Sequence, residues 1–237
     1  MRIGILFSSG KDSVFTLWFY QEQGWDIACL LSIVPKDQDS YMFQSPDRAL
    51  LSAQANALGI PLIIETSSGE KEIELDDLER LLIKAKRDHK IQGVAAGALA
   101  SDYQAERINR ICAKLGLKVF TPLWHKDQER HMRTVIASGF DVHMTRIAAD
   151  GLTKSWIGKR LADDDIDKLV ALHEKLGINI AGEGGEFETI VLDGPCFKRP
   201  IAIEYDIAME SDHRGELRIT KILIGDNDRV HRNRTTR

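Results

Sequence analysis

A short polar turn between an apolar strand and a helix constrains this chain more than any other feature of its sequence. Residues Ser8-Ser9-Gly10-Lys11-Asp12-Ser13 directly follow the apolar run Ile3-Gly4-Ile5-Leu6-Phe7. Small residues at such a junction leave backbone N–H groups at the start of the helix unpaired, and an anion can accept hydrogen bonds from them. The pattern predicts a phosphate-binding loop at the first strand-to-helix junction of an α/β fold. An ordinary capped turn is the alternative.

Two common phosphate loops do not fit this segment. A Walker A loop has four residues between its two glycines and a Ser or Thr after its lysine. Here five residues separate Gly4 from Gly10, and Asp12 follows Lys11. The dinucleotide fingerprint fails because its candidate, Gly182–Phe187, ends in Phe and follows no clear strand. The segment instead resembles the S-G-G-x-D-S pyrophosphate loop of the N-type ATP pyrophosphatases, with Ser9 at the place of the first glycine. That resemblance implies cleavage of ATP to AMP and pyrophosphate.

The composition is that of a globular chain without a basic face. Its 237 residues are 43% hydrophobic, enough for a full core in one large domain or in a domain with an appendage. The 32 basic and 36 acidic residues are interspersed, so nucleic acid is not expected as a partner. The apolar runs are too short for a signal-peptide core or a membrane span, so no membrane partner is expected. Cys29, Cys112 and Cys196 lie far apart, which argues against disulfides and zinc and predicts a cytoplasmic location.

Apolar runs with strand character alternate with segments of helical spacing over the first part of the chain. These runs are Arg2–Phe7, Ile27–Val34, Leu62–Thr66, Val94–Leu99, Val119–Leu123 and Val142–Ile147. One helical stripe places His173 on an apolar face together with Ile166, Leu169 and Val170, which predicts a packed histidine. Strands and helices in turn form βαβ units, so these runs predict an α/β fold with a doubly wound parallel sheet of the HUP/PP-loop type.

The pattern changes after Gly177, beyond which no helix-length periodic segment follows. The remaining apolar runs are Phe187–Leu192, Ile201–Ala208 and Leu217–Ile224, with turn residues between them. They predict a smaller strand-rich region packed beside the parallel sheet. We therefore expect a pyrophosphate-loop domain over residues 1–150, a strand-rich substrate-binding region over 151–225 and a disordered tail over 226–237.

Ligands of an open α/β sheet bind beyond the carboxyl ends of its strands, so each strand end is a candidate for chemistry. After the first strand, the loop from Ser8 to Ser13 is predicted to hold the β- and γ-phosphates of ATP through its backbone N–H groups. Lys11 either offsets the phosphate charge or is a solvated lysine. Asp12 is placed to hold Mg²⁺ that bridges phosphate oxygens.

The ends of the second and fourth strands are predicted to complete the nucleotide site. Ile33 and Met42 could line an adenine slot, with burial in the core as an equal alternative. Small residues after the fourth strand would let a nucleotide approach the backbone. The predicted residues there are Gly97, Ala98 and Asp102 for the nucleotide, and Tyr103, Gln104 and Arg107 for the substrate. Capping of the next helix is the alternative role of Asp102.

A glycine-rich acidic loop, Glu183–Thr189, is the second strong signal. Three carboxylates and two glycines suit the binding of a cation, whether Mg²⁺ or a positively charged substrate. A solvated turn before a strand is the alternative. The predicted catalytic residues are Glu183 and Glu186 of this loop together with Lys11 and Asp12 of the phosphate loop. The predicted substrate-binding residues of the acidic loop are Gly184, Gly185, Glu188 and Thr189.

The sequence as a whole resembles the diphthine–ammonia ligases, pyrophosphate-loop enzymes that complete diphthamide on translation elongation factor 2, in their short archaeal form. The matching pieces are Ser8–Ser13, Tyr41–Gln44, Gly97–Gln104, Pro122–Trp124, Gly182–Thr189 and Pro195–Lys198. The resemblance implies that the carboxylate of diphthine attacks the α-phosphate of ATP and that an acyl-adenylate and pyrophosphate form. Ammonia then displaces AMP, while the acidic loop meets the quaternary ammonium of diphthine or acts as a general base.

Two other functions stay open on the sequence alone. A tRNA-modifying adenylating enzyme would need a basic surface or an RNA-binding domain, and the acidic balance argues against it. A non-catalytic nucleotide-binding module of the universal-stress type has a similar sheet but no obvious need of Asp12 or the acidic loop. The expected cofactors are ATP and Mg²⁺, and the expected partners are elongation factor 2 and ammonium.

Overall fold

Five parallel strands form the central sheet of the computed structural model, which describes residues 1–35, 47–67, 73–97 and 102–225, with the backbone alone at residues 35, 73, 74 and 102–105. The strands are β1 (Arg2–Leu6), β2 (Asp26–Pro35), β3 (Leu62–Ser67), β4 (Gly93–Ala96) and β5 (Lys118–Phe120). Their order is β3-β2-β1-β4-β5, and every neighbouring pair is parallel. Ile3 and Ile5 of β1 are fully buried, as in a strand covered by helices.

Helices cover both faces of this sheet, which confirms the predicted doubly wound α/β fold. The helices of the described residues are α1 (Lys11–Glu22), α2 (Arg48–Leu58), α3 (Ile73–His89), α4 (Asp102–Lys114), α5 (Gln128–Ala137) and α6 (Asp163–Leu176), with a 3-10 turn at Lys154–Trp156. Leu78 and Leu82 of α3 share one buried cluster with Ile108 of α4. Val14 of α1 and Leu51 of α2 belong to the other cluster.

The strand order reverses at β1, because the chain extends the sheet through β2 and β3 on one side and through β4 and β5 on the other. At such a point the loops that follow the two central strands diverge and leave a crevice that binds ligands. The predicted phosphate loop follows β1 and Gly97 follows β4. Both therefore lie at the switch point of the sheet.

A second, antiparallel sheet contains the strand-rich region. Its strands are β6 (Asp141–Ala148), β7 (Phe187–Asp193), β8 (Ile201–Ser211) and β9 (Arg214–Ile224), in the order β7-β6-β9-β8. The predicted place of Val142–Ile147 in the parallel sheet is wrong, because this run lies in β6 and pairs antiparallel with β7 and β9. An apolar run indicates burial, whereas the direction of pairing depends on partner strands elsewhere in the chain.

His173 does not pack on the apolar face of α6 as predicted. Its side chain is exposed, and its Nδ1 lies 2.7 Å from the carbonyl oxygen of Ile178. Gly177 follows the helix with a φ of +74°, which turns the chain back over the last helical turn. His173 is therefore bonded to the turn that ends the helix.

The two sheets share one hydrophobic core. Val14 and Leu51 are buried in the same cluster as Val142 of β6 and Val191 of β7. Helix α1 packs on β7, and α2 packs on β8 and β9. The division at residue 150 stays a prediction, and the tail predicted over 226–237 lies outside the described residues. In the part of the chain that the structure describes, no helix is both long and apolar enough to span a membrane.

Candidate active site

The phosphate loop enters α1 without a side-chain cap. Gly10 is the N-cap residue, and its carbonyl accepts from the N–H of Val14 at 3.1 Å. Ser13 steadies the loop, because its Oγ donates to the Gly10 carbonyl at 3.0 Å and accepts from the N–H of Ser8 at 3.3 Å. The N–H groups of Asp12 and Ser13 have no acceptor among the described residues. The start of α1 is therefore open to an anion.

Ser9 holds a backbone conformation that favours glycine. Its φ is +67°, in the left-handed region. A Cβ there costs roughly 1–2 kcal/mol. Ser9 is buried, and its carbonyl accepts from the N–H of Val191 at 3.2 Å and from Nε2 of Gln54 at 3.1 Å. Contacts from β7 and α2 thus hold a strained residue inside the loop.

Lys11 and Asp12 form an ion pair at the head of α1, in which Lys11 is buried and Asp12 is half-buried. Lys11 is only 4% exposed, and its Nζ donates to Oδ2 of Asp12 at 2.8 Å and to the carbonyl of Ala181 at 2.6 Å. The alternative of a solvated Lys11 is therefore wrong. Burial by itself raises the pKa of Asp12, but the charge of Lys11 and a hydrogen bond from His131 outweigh it and lower the pKa to about 2.

His131 of α5 completes this cluster. Its Nε2 lies 2.7 Å from Oδ1 of Asp12, and its ring packs edge-on against Phe15 of α1, with the ring centroids 5.4 Å apart. The side chain is almost fully buried. Since Lys11 contacts the other carboxylate oxygen, both oxygens of Asp12 are engaged.

Gly97 allows the phosphate loop to lie directly on the end of β4. A Cβ at this position would lie 2.6 Å from the carbonyl carbon of Asp12 and 2.8 Å from the nitrogen of Ser13. Backbone atoms cannot move away from such a contact as a flexible side chain can. The close neighbour of Gly97 in the structure is therefore the backbone of α1, and the approach of a nucleotide to Gly97 stays a prediction.

The rest of the predicted nucleotide rim lies partly outside the described residues. Met42 and Ala98 fall there, and only the backbone, in the first turn of α4, is described for Asp102, Tyr103 and Gln104. Arg107 is half-buried in the same helix. Ile33 is buried in the cluster that contains Leu78, so the structure places it in the core, and its contact with adenine stays a prediction.

The carboxylates at the start of the acidic loop have different environments. Glu183 is exposed. Oε1 of Glu186 accepts from the N–H of Asn179 at 3.0 Å, whereas its Oε2 is buried without a hydrogen-bond partner among the described residues. Oδ1 of Asn179 in turn accepts from the N–H groups of Ala181 and Glu183 at 2.9 and 3.2 Å. Glu186 therefore supports the fold of the loop, and Glu183 is its solvent-facing carboxylate.

Glu188 and Thr189 project from opposite faces of β7, as successive strand residues do. Oγ1 of Thr189 accepts from the N–H of Lys11 at 3.3 Å, so Thr189 faces the phosphate loop. Oε1 of Glu188 lies 3.4 Å from Nη1 of Arg146 in β6. Burial raises the pKa of Glu188, although the positive charge of Arg146 acts to lower it. Binding of substrate by Glu188 and Thr189 stays a prediction, and the structure separates the two side chains.

Helix α5 contacts both the phosphate loop and the segment that leads into the acidic loop. His131 of this helix is hydrogen-bonded to Asp12 of the phosphate loop. Three residues earlier, Oε1 of Gln128 accepts from the N–H of Ile180 at 3.0 Å. Together with the bond from Lys11 to the Ala181 carbonyl, these contacts make the two predicted motifs neighbours in space.

Two family models match this chain along nearly its whole length. The diphthamide synthase N-terminal domain matches residues 1–119, and the diphthamide synthase C-terminal domain matches residues 127–223. The chain belongs to the diphthamide synthase family.

Curated relatives of this diphthamide synthase family member carry the name diphthine–ammonia ligase. The Danio rerio protein is 36% identical, over 97% of this chain and 99% of its own length. The Homo sapiens protein is 32% identical, over 86% of this chain and 83% of its own length. The Schizosaccharomyces pombe protein is 35% identical over 86% of this chain, which spans only 36% of that longer relative. A predicted tRNA methyltransferase subunit from Methanocaldococcus jannaschii shares 15% identity at a TM-score of 0.44, covering 82% of this chain and 98% of its own.

Asp12 is the candidate protein ligand for magnesium at the phosphate loop. Among the described residues, no group of three or more His, Cys, Asp or Glu side chains could hold a metal ion by itself. Magnesium at nucleotide sites is commonly held by one or two carboxylates together with substrate phosphates. Asp12, ionised and beside the open helix start, fits that single role if His131 or Lys11 releases one of its oxygens.

Sequence reasoning missed three helix residues that hold either the phosphate loop or the segment that leads into the acidic loop. They are Gln54, Gln128 and His131. Gln54 and His131 lie inside helices, Gln128 is the first residue of α5, and none of the three stands at a strand end. No local pattern distinguishes them from ordinary helix residues.

Proposed function

We propose that this chain is the ligase that amidates diphthine on translation elongation factor 2, with ammonium as the nitrogen source and ATP as the energy source. The match of both diphthamide synthase domains in order along the chain is the observation that carries the assignment. Curated diphthine–ammonia ligases at 32–36% identity support the same carbon–nitrogen ligase activity. The tRNA-modifying and universal-stress alternatives are not favoured by these relatives.

The reaction activates a carboxylate. The carboxylate oxygen of diphthine attacks the α-phosphorus of ATP, the bond to the β,γ-pyrophosphate breaks, and an acyl-adenylate forms. Ammonia then attacks the acyl carbon, AMP leaves, and a proton from the nitrogen passes to a base. Hydrolysis of ATP to ADP has no place in this sequence of steps.

The phosphate loop is suited to stabilise the leaving pyrophosphate. The open N–H groups of Asp12 and Ser13 can donate to phosphate oxygens as the charge on them grows. Lys11 is buried beside them and supplies a positive charge with little competing water. Magnesium, held by Asp12 and the phosphates, would neutralise further charge.

The acidic loop is the proposed contact for the cationic part of diphthine. Glu183 is exposed, so a trimethylammonio group can reach its carboxylate. Glu186 already accepts a backbone hydrogen bond, so its contribution combines loop support with charge. Glu183 can either recognise the quaternary ammonium or act as a general base toward ammonia.

Free ammonium is the proposed nitrogen donor, because no cysteine is suited to release ammonia from glutamine. Cys29, Cys112 and Cys196 are all buried. Burial raises the thiol pKa of Cys29 to about 12 and that of Cys112 to about 11, and raises that of Cys196 as well. Thiols of this kind are poor nucleophiles at neutral pH. Elongation factor 2 as protein substrate agrees with the expected cytoplasmic location.

The identity of the nucleotide product tests the proposal. The protein is incubated with diphthine-bearing elongation factor 2, ATP, Mg²⁺ and ammonium, and the nucleotides are separated by chromatography. AMP and pyrophosphate in step with conversion of diphthine, measured by mass spectrometry of the partner, are expected. Formation of ADP, or AMP release without any change in the partner, would overturn the proposal.

A further inference from the structure

Gln54 is a buried amide that helix packing does not explain. It lies in α2, is fully buried and is surrounded in the helix by apolar or small buried residues. Its Nε2 donates to the carbonyl of Val191 at 2.7 Å and to that of Ser9 at 3.1 Å. Its Oε1 has no hydrogen-bond partner among the described residues. An amide with an unpaired buried oxygen is unfavourable for folding, so an apolar residue would suit pure packing better.

The two carbonyls that Gln54 contacts join the phosphate loop to β7. The Ser9 carbonyl also accepts from the N–H of Val191 at 3.2 Å, so Ser9 and the backbone of Val191 are linked both directly and through Gln54. Two donors, the N–H of Val191 and Nε2 of Gln54, therefore bond to the carbonyl of Ser9, whose φ is +67°. A serine leaves that conformation readily unless such contacts hold it.

The orientation of the Ser9–Gly10 peptide decides where the next N–H group points. The described peptide bonds are all trans, so the C=O and N–H of this peptide point in opposite directions. When the carbonyl is held toward α2 and β7, the N–H of Gly10 points away from them. That N–H has no acceptor among the described residues and directly precedes the open start of α1.

We propose that Gln54 is a positioning residue for ATP: its amide holds the left-handed Ser9 peptide so that the loop presents its N–H groups to the pyrophosphate. This inference rests on the proposed function, since it requires that the loop binds ATP. Gln54 acts through Ser9 and does not itself touch the nucleotide. The glycine typical of this loop needs no such support, because it adopts a positive φ freely.

A rescue experiment separates positioning from general packing. Gln54→Met replaces the amide by a chain of similar length, and Ser9→Gly removes the strain that the amide is proposed to oppose. ATP affinity is measured by calorimetry, and the midpoint of thermal unfolding is recorded for each variant. We expect Gln54→Met to weaken ATP binding about tenfold, the scale of one lost buried hydrogen bond. The double variant is expected to recover most of that affinity.

Two further variants serve as controls for packing and for folding. Leu58→Ala, four residues further along α2, should lower the unfolding midpoint but gain no ATP affinity from Ser9→Gly. Gln54→Asn, whose shorter amide cannot reach both carbonyls, replaces the Met variant in the same cycle if that variant does not fold. Additive effects of the Ser9 and Gln54 changes, or unchanged ATP affinity in either Gln54 variant, would overturn the inference. A wild-type protein that binds no ATP would instead overturn the proposed function on which it rests.

Discussion

Nε2 of His131 lies 2.7 Å from Oδ1 of Asp12, although 119 positions separate the two residues in the chain. The contact ties α5 to the first turn of α1. Lys11 engages the other oxygen of the same carboxylate at 2.8 Å. Asp12 therefore lies between two nitrogen donors, and its ionised form is stabilised at the place where we expect the pyrophosphate of ATP.

Replacement of Asp12 tests its role at the phosphate loop. Asp12→Ala is expected to lower turnover by roughly 10² or more, because stabilisation of the charge that develops on pyrophosphate is lost. Pyrophosphate release at saturating ATP measures the effect. The matched control is Asp26→Ala, which removes an exposed carboxylate that pairs with Arg2 at 2.6 Å and should leave turnover unchanged. Near-normal release by a folded Asp12→Ala protein would rule out the metal and charge role.

The low pKa of Asp12 makes part of the stability depend on pH. Its pKa is about 2 in the folded protein against 3.8 for the ordinary group. The folded value is the lower one, so this stabilisation is complete above about pH 4 and is lost as the pH falls through about 2. Relative to Asp12→Asn, the wild-type protein should lose on the order of 2 kcal/mol of unfolding free energy over that window. Urea unfolding of both proteins across the window measures it, and a constant difference would contradict the assigned cause.

Gly97→Ala tests the packing of the phosphate loop on β4. The added Cβ would meet the backbone of Asp12 and Ser13, so the head of α1 must shift. We expect a loss of about 1–3 kcal/mol in unfolding free energy, as for other overpacked sites, together with a clear loss of ATP affinity. Gly24→Ala is the control, since it follows the other end of α1 with a φ of +73° and open space around it. This change should cost roughly 1–2 kcal/mol of unfolding free energy, as for any Cβ at a left-handed φ, without changing ATP binding. Unchanged ATP binding by Gly97→Ala would mean that the loop tolerates the shift.

Glu183→Gln separates recognition of diphthine from recognition of ATP. The change removes a charge from an exposed side chain while keeping its size, so ATP affinity should stay the same. Conversion of diphthine-bearing elongation factor 2 should fall strongly, because the quaternary ammonium loses its partner. Calorimetry with ATP and mass spectrometry of the partner give the two readouts. Loss of ATP binding would place Glu183 at the nucleotide instead.

Glu186→Gln is the companion change in the same loop. A glutamine oxygen can still accept from the N–H of Asn179, so the loop should keep its fold. Glu186→Ala removes that acceptor and should loosen the loop. If loop support is the main role of Glu186, conversion of the partner survives in the Gln variant and falls in the Ala variant. Equal loss in both variants would assign the role to its charge.

Local sequence patterns were sufficient to predict the five strands of the parallel sheet and the strand-to-helix turn that follows the first of them. The apolar run Arg2–Phe7 and the polar turn after it are adjacent in the chain, so their geometry follows from strand and helix preferences alone. The loop lies at the carboxyl end of β1, where the rule for parallel sheets places ligands. The later apolar runs likewise predicted the strands of the second region, because each run forms its strand locally.

Only the tertiary structure decided which side chains meet at the loop. Gln54, His131 and Thr189 reach it from α2, α5 and β7, and their contacts depend on how those elements pack across one shared core. The same packing placed Val142–Ile147 in the antiparallel sheet and buried Lys11 against Ala181. Hydrophobic periodicity reports which face of an element is buried, but the partner that buries it is selected by the fit of the whole fold. The sequence by itself therefore determined the turn at the end of β1 and the helix after it, and the tertiary structure determined the side chains that hold this turn in its strained conformation.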